Sequence, residues 1–394
     1  MSEHAGSLTG QRAAGRHIIV AQDTSELILG SRRSRPRYGA VAKGNAAGLL
    51  LHAGLAVEAG TQALLGLVSM QVWNRGKEEL ASRRKRATAA KESQRWIEVT
   101  RQAGEVLAAA ASITMVSDRE SDFYELFVKR PPSVDLVIRA CQNRRIEGDE
   151  DDPGLLFTFI DAQPQQGRFV TKIPAAPGRR ARDADLEVRF APVAVRRPLH
   201  GADPALPEAV DLTLVDVREV SEPEDGSAPV RWRLLTTHVV DTLKDARRII
   251  DFYRTRWTIE EFFRTLKTAG FDIEDTDISD PQAMVNFAAA AAIAAVTIKQ
   301  LVQARDGNTD QLLSDAFDPD DQPILEAVSA RLEGKTERQR NPHLRGTLAF
   351  AAWVIARLGG WTGYYGKPGP KVMRIGLADF RAIKYGANLG LQDV

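Results

Sequence analysis

A single cysteine, Cys141, excludes a disulfide framework and any zinc site built on cysteine pairs. That scarcity suits a reducing compartment. The six histidines are scattered without ligand spacing, so no histidine-based metal motif stands out. Long apolar runs are also missing. The longest, "NFAAAAAIAAVTI" at 286–298, is rich in alanine, too short to span a bilayer, and reads as a buried helix. The opening "MSEHAGSLTGQRAAGRH" lacks the apolar stretch of a signal peptide. No internal repeat or low-complexity tract stands out. The formal net charge of +1 excludes a globally basic chain. Basic residues gather locally instead, in "SRRKR" at 82–86, "RRAR" at 179–182 and "ARRI" at 246–249, each of which reads equally well as a solvated loop or face. The expectation is a soluble cytoplasmic protein with no membrane partner.

What is present is ordinary globular material, 43% hydrophobic and 27% charged, in a chain of 394 residues that is long enough for two or three units. Residues 1–16 are polar and read as a disordered arm. "RHIIVAQDTSEL" (16–27) reads as a buried strand ending in Asp23, and "GLLLHAGLAVEAG" (48–60) and "QALLGLVSMQVW" (62–73) as two more, together an antiparallel meander. A charged stretch at 74–91 reads as a mobile loop. A helix (91–111), a strand ending in Asp118 (112–118), a second helix (120–130) and another strand (134–141) follow. A meander followed by alternating helices and strands predicts an α/β fold, a mixed sheet with helices on its faces. Ligands of such sheets gather at the carboxyl ends of the strands. Residues 142–240 turn rich in Pro, Gly, Arg and Asp and read as a β-rich insertion. Residues 241–275 return to helix, one long or kinked, and 276–394 form an alanine-rich helical region.

The stretch "YRTRWTIEEFFRTLKTAG" (253–270) holds an unusual face. Projected as a helix, Tyr253, Arg256, Glu260, Arg264 and Lys267 fall within an arc of about 80° and a length of about 21 Å. Phe252, Ile259, Phe262, Phe263 and Leu266 gather on the neighbouring side, which is the core side. The bland reading is a solvated face in which Glu260 pairs with Arg256 and Arg264, each four residues away. The sharper one is a carboxylate that binds a metal, flanked by cations that bind phosphates. Two further acids share that context, Asp23 and Asp118, each at the end of a strand. Singly, each reads as a turn or helix cap. Together, three carboxylates are enough to hold two Mg²⁺ ions, which take hard oxygen ligands and drive phosphodiester cleavage.

"YRTRWTIEEFFRTLK" resembles the Y-x2-R-x3-E-x6-K signature of bacterial cut-and-paste DDE transposases of the insertion-sequence-four family, with its transposon-five-like members. Tyr253, Arg256, Glu260 and Lys267 occupy its four positions. "VSDRESDFYEL" resembles the family's segment around the second aspartate, here Asp118, and "VAQDTSEL" the segment around the first, here Asp23. "KESQRW" (91–96), "RWRLLTTHVV" with "IIDFY", and "ARLGGWTGYYGKPGP" (356–370) resemble further family segments, so the likeness runs from about residue 17 to the end. The resemblance implies an RNase H-like core interrupted by the β-rich insertion, and a C-terminal helical region used for homodimerisation. It implies Asp23, Asp118 and Glu260 as catalytic residues and ligands of two Mg²⁺ ions, for which Mn²⁺ substitutes. It implies double-stranded DNA, transposon ends and target, as partner, and a place on the bacterial nucleoid. Arg256, Arg264, Lys267 and Tyr253 are then expected at phosphates, Trp232 as the aromatic receiving an unstacked base, and Arg119 as a DNA contact or the partner of Glu120 or Asp122. Family members carry a helical domain before the first aspartate, whereas 22 residues precede Asp23 here. The expectation is that the chain is truncated, that its start codon is assigned too late, or that end recognition is delegated. Two alternatives to the active enzyme follow, a shortened inhibitor that dimerises with full-length partners and a domesticated nuclease.

Overall fold

Side chains alternate across a strand, and that alternation builds two cores on one sheet. The computed structural model describes residues 2–31, 34–41, 46–75, 93–148, 154–173, 180–309 and 311–392. After a first helix, α1 (Ser2–Ala13), come β1 (His17–Ser31), β2 (Gly39–Ala40), β3 (Ala46–Glu58) and β4 (Leu64–Trp73). Helix α2 (Gln94–Val106), β5 (Ser112–Ser117), α3 (Tyr124–Lys129) and β6 (Val134–Arg139) follow. Ile19 and Ala21 enter one core with Val116 and Val137. Their neighbours Ile18 and Val20 enter the other with Met115, Leu136 and Ile138. A strand buried on both faces reads as an unbroken apolar run, which is why "HIIVA" shows no alternation in sequence.

Next in the chain are α4 (Leu156–Ala162), β7 (Gly167–Ile173), β8 (Arg182–Arg196), β9 (Ala209–Glu219) and β10 (Arg231–Thr236). The strands join one sheet in the order β2-β3-β1-β5-β6-β10-β9-β8-β7, with β4 also paired to β3. Its centre, β1, β5 and β6, is parallel. The meander of β1, β3 and β4 is antiparallel, as expected from sequence. The strands of residues 142–240 are antiparallel too, and β10 pairs with β6. They therefore continue the main sheet rather than forming a separate one. This is a mixed α/β fold, consistent with the RNase H-like class.

Helices α5 (Leu243–Thr255) and α6 (Trp257–Arg264), a π-turn (Thr265–Ala269) and α7 (Pro281–Ala304) cover the first core. A capping box starts α5: the Thr242 side chain accepts from Asp245 N, and Asp245 accepts from Thr242 N, both at 3.2 Å. Pro281 behind an Asp280 cap starts α7. Helices α8 (Asp321–Leu332), α9 (Leu348–Leu358) and α10 (Pro370–Gln392) close a third core around the end of α7. Helices α9 and α10 cross closely at Gly376, where a Cβ would meet the Ile355 carbonyl at 1.8 Å.

Several expectations need correction. Residues 2–16 do not form the expected disordered arm. Helix α1 docks on β4, where the Thr9 hydroxyl donates to the Leu67 carbonyl at 2.8 Å, and Arg16 reaches Asp315 at 3.2 Å. These ties are polar, so hydrophobic periodicity does not reveal them. Asp23 does not end β1, which runs eight residues further because its second half stays paired with β3. The helix expected at 120–130 is a 3₁₀ turn (Arg119–Ser121) and then α3. Helix α7 extends to 24 residues, long and apolar enough to cross a bilayer, but half of its apolar stretch is buried within the fold. There its alanines let it approach the sheet closely. The loop expected at 74–91 lies, from residue 76, outside the described residues, and so do "SRRKR" and Arg179.

Candidate active site

The parity that builds the cores also aims the acids. Ile19 and Ala21 face the first core, so Asp23, two residues on, faces the same side. Val116 faces that side as well, and so does Asp118 just past the end of β5. The parallel register pairs Ile18 with Ile113 and Ala21 with Val116. Continued by two residues, it sets Asp23 opposite Asp118. Val137 carries the same parity to Arg139 at the end of β6, and Leu234 carries it to Trp232 on β10. Four polar or aromatic side chains thus reach one face, at the carboxyl ends of the parallel strands.

Helices α5 and α6 pack on this face and meet at Arg256, which ends one and begins the other. Around it the backbone tightens to three-residue spacing, Arg256 N to Tyr253 O and Ile259 N to Arg256 O, both 3.1 Å. The buried Arg256 side chain (8% exposed) points at all three acids. Its guanidinium lies 2.7 Å from Glu260, 3.6 Å from Asp23 and 3.9 Å from Asp118. The acids remain open to solvent, with side-chain exposures of 20% for Asp23, 31% for Asp118 and 38% for Glu260. Tyr253 is buried, and its hydroxyl donates to Asp118 Oδ1 at 3.3 Å. Trp232 packs edge-on against the Tyr253 ring at 5.7 Å. The stripe is therefore not a solvated face. Arg264 does lie exposed, and Lys267, on the π-turn, leans to Glu274 at 3.7 Å.

Both aspartates are also held by local backbone. Asp23 Oδ1 accepts from Thr24 N at 2.8 Å, and Asp118 Oδ1 accepts from Arg119 N at 2.9 Å. The capping reading thus holds alongside the functional one. Arg119 itself is exposed. Asp122 does not pair with it. Buried Asp122 takes Arg144 at 2.7 Å and the backbone N–H groups of Cys141 and Gln142, and so fixes the chain just after β6. Arg139 was missed by sequence reasoning. It stands 3.8 Å from Asp118, and its signal was a cation closing the apolar strand "VDLVIR".

A family model for the transposase DDE domain matches residues 51–297, more than half of the chain. The chain belongs to the transposase DDE-domain family. The match spans Asp118, Tyr253, Arg256 and Glu260, and Asp23 lies before it. Family membership makes this a transposase-type protein with DNA as its substrate.

Burial pushes the Asp23 carboxyl up to about 6, because desolvation outweighs the help of the Thr24 N–H and Arg256. Burial disfavours the charge of Arg256 too, but Tyr253, Asp118 and Glu260 overcome it and hold its pKa above the ordinary value. Burial also raises the Tyr253 phenol, which stays a donor. The three carboxylates supply hard oxygens of the kind Mg²⁺ takes, and the strained ionisation of Asp23 marks a place that favours added positive charge. Among the described residues no three acidic or histidine side chains stand close enough to grip an ion as they are. The guanidinium stands among them instead.

The raised Asp23 value sets a pH dependence. Between the unfolded value near 3.8 and about 6, the folded chain keeps a proton that the unfolded chain has lost. Its contribution to stability therefore falls as pH rises through that window and stays level above it. Asp23→Asn removes the penalty. The variant is expected to be more stable than the parent by about 3 kcal/mol at pH 7.5 and nearly equal to it near pH 4. Urea denaturation across pH measures this, and equal stability at pH 7.5 would contradict it.

Proposed function

We propose that this protein is a cut-and-paste transposase of the insertion-sequence-four type, with Asp23, Asp118 and Glu260 as its catalytic triad. One observation carries the reading: three carboxylates from remote parts of the chain meet around one guanidinium, inside a chain of the transposase DDE-domain family. The triad would hold two divalent ions, Mg²⁺ or Mn²⁺. Bound metal activates the attacking oxygen and stabilises the leaving one.

The expected reactions are nicking at each transposon end, hairpin formation, hairpin opening and strand transfer. In each, a water or a 3′-hydroxyl oxygen bonds to phosphorus while the bond to the leaving oxygen breaks. The nucleophile gives up its proton, and the leaving oxygen takes one. All four are in-line displacements, so one site serves them. Arg256 and Arg139 balance the carboxylates and present cations to the scissile phosphate. Tyr253 holds Asp118 in place. Arg264 and Lys267 meet flanking phosphates, and so does exposed Arg119. Trp232, half-buried beside Tyr253, receives the base that a tight hairpin expels. Helix α10 leaves Ile375, Ile383, Tyr385 and Leu389 exposed, an apolar set that suits a homodimer through the C-terminal helices.

Glu260→Ala is expected to abolish Mg²⁺-dependent cleavage of DNA while far-UV circular dichroism and melting stay near those of the parent. Cleavage equal to the parent's would sink the triad assignment. Lys267→Ala is expected to weaken duplex binding and reduce the slope of log affinity against log salt by about 0.9, one phosphate contact. An unchanged slope returns Lys267 to its pair with Glu274. In sedimentation the full chain is expected to run as a dimer that Tyr385→Arg dissociates, and a strict monomer at high concentration rejects the dimer.

A further inference from the structure

Far along the chain from the triad lies a cleft of about 310 Å³ among the C-terminal helices. It is walled by Arg305, Arg338, Arg340 and His343, with Trp353 and Trp361 in its lining. Glu337 is the one acid that shares it. Two loops make the cleft, residues 333–347 and 359–369. They are tied where the Thr336 hydroxyl meets the Tyr364 hydroxyl at 3.0 Å, and Arg357 of α9 donates to the Trp361 carbonyl at 3.0 Å and to the Leu332 carbonyl at 3.3 Å. At Gly363 a Cβ would come within 2.9 Å of the Arg338 carbonyl, so the loops approach closely only with glycine there.

The charges are unequally engaged. Arg305 donates to the Pro368 carbonyl at 2.9 Å and nears Asp306, while Asp306 is taken up by Lys367 at 2.7 Å. Arg338 and Arg340 are exposed and have no ion pair among the described residues. Burial lowers the His343 pKa, so its imidazole stays neutral and serves as a hydrogen-bonding group. In the same 359–369 loop, Tyr365 stands 86% exposed and Tyr364 42%. Unpaired guanidinium groups next to exposed aromatics are the chemistry of nucleic-acid strand binding, in which cations hold phosphates and rings stack on bases. The volume sits at the lower limit of ligand pockets, roughly 300–1,000 Å³. A volume of this size suits a small occupant such as one unstacked nucleotide.

We propose that this cleft binds an unpaired nucleotide of a DNA strand, with its phosphate on Arg338 and Arg340 and its base against the Trp361 side. The inference rests on the DNA-processing reading but uses none of the residues of the triad. Two guanidiniums in one cleft favour a phosphate because each offers a planar, bidentate fork.

The test measures fluorescence anisotropy of the full chain with a labelled oligothymidine of about 12 nucleotides and with a duplex, at several salt concentrations. Parent, Arg338→Ala/Arg340→Ala and Arg338→Lys/Arg340→Lys are compared, with melting curves checking the fold. The alanine pair is expected to bind the single strand about tenfold more weakly, with a salt slope shallower by about 1.4, two single-strand phosphate contacts. The lysine pair is expected to restore the slope. Equal affinity and slope in parent and alanine pair overturn the inference. An equal loss on duplex overturns the assignment to an unpaired strand. A parent that binds neither DNA overturns the transposase reading along with it, whereas duplex binding without single-strand binding overturns the cleft alone.

Discussion

The site depends on the contact of one buried guanidinium with three carboxylates. Arg256 lies within 4 Å of Asp23, Asp118 and Glu260. Without that cation, three carboxylates from separate elements would repel one another in a half-buried place. Even with that cation, burial holds the Asp23 carboxyl up at about 6. The charge therefore sets the spacing of the acids, and the break between α5 and α6 sets the charge. A straight helix would carry Arg256 and Glu260 along a uniform stripe. The tightened turn at Arg256 instead drives the side chain inward, between the sheet and Glu260.

The sheet supplies the opposite half. Its three parallel strands end at one edge, and alternation sends Asp23, Asp118, Arg139 and Trp232 to one face. Asp122 and Arg144, both buried, pin the chain just beyond β6 and so hold Arg139 near Asp118. Burying a pair of charges costs desolvation that good geometry repays only in part. Its use here is positional, since the pair also takes the backbone of Cys141 and Gln142. The strands of residues 142–240 extend the same sheet past β10, which places Trp232 within ring contact of Tyr253. A helix-bound tyrosine, an arginine and a glutamate are thereby joined to a strand-bound tryptophan that lies over twenty residues upstream.

Much of this was legible in sequence, for definite reasons. The meander, the alternating units and the helix face at 253–267 follow from periodicity, because buried faces demand apolar residues at fixed intervals. The same periodicity separated Phe252, Ile259, Phe262 and Phe263, all buried in the first core, from the polar stripe beside them. Spacing also made Glu260 a partner of Arg256 at one turn. Helix α1 was not legible, because polar ties and a close glycine hold it down. At Gly10 a Cβ would meet the Val106 carbonyl at 2.4 Å.

What sequence determined by itself was which residues carry charge and which side of each element they occupy, since both follow from side-chain chemistry and local repeat. Only the tertiary structure decided that Arg256 faces the acids rather than solvent, that Tyr253 is buried against Asp118, and that Arg139 joins them. Those outcomes depend on strand register and on the packing of α5 and α6 across the sheet, and the contacts of Arg256 and Tyr253 with the aspartates join residues more than a hundred positions apart. No local interval encodes such a contact. It exists because burying the apolar faces of the helices on this sheet leaves the polar stripe only one place to go.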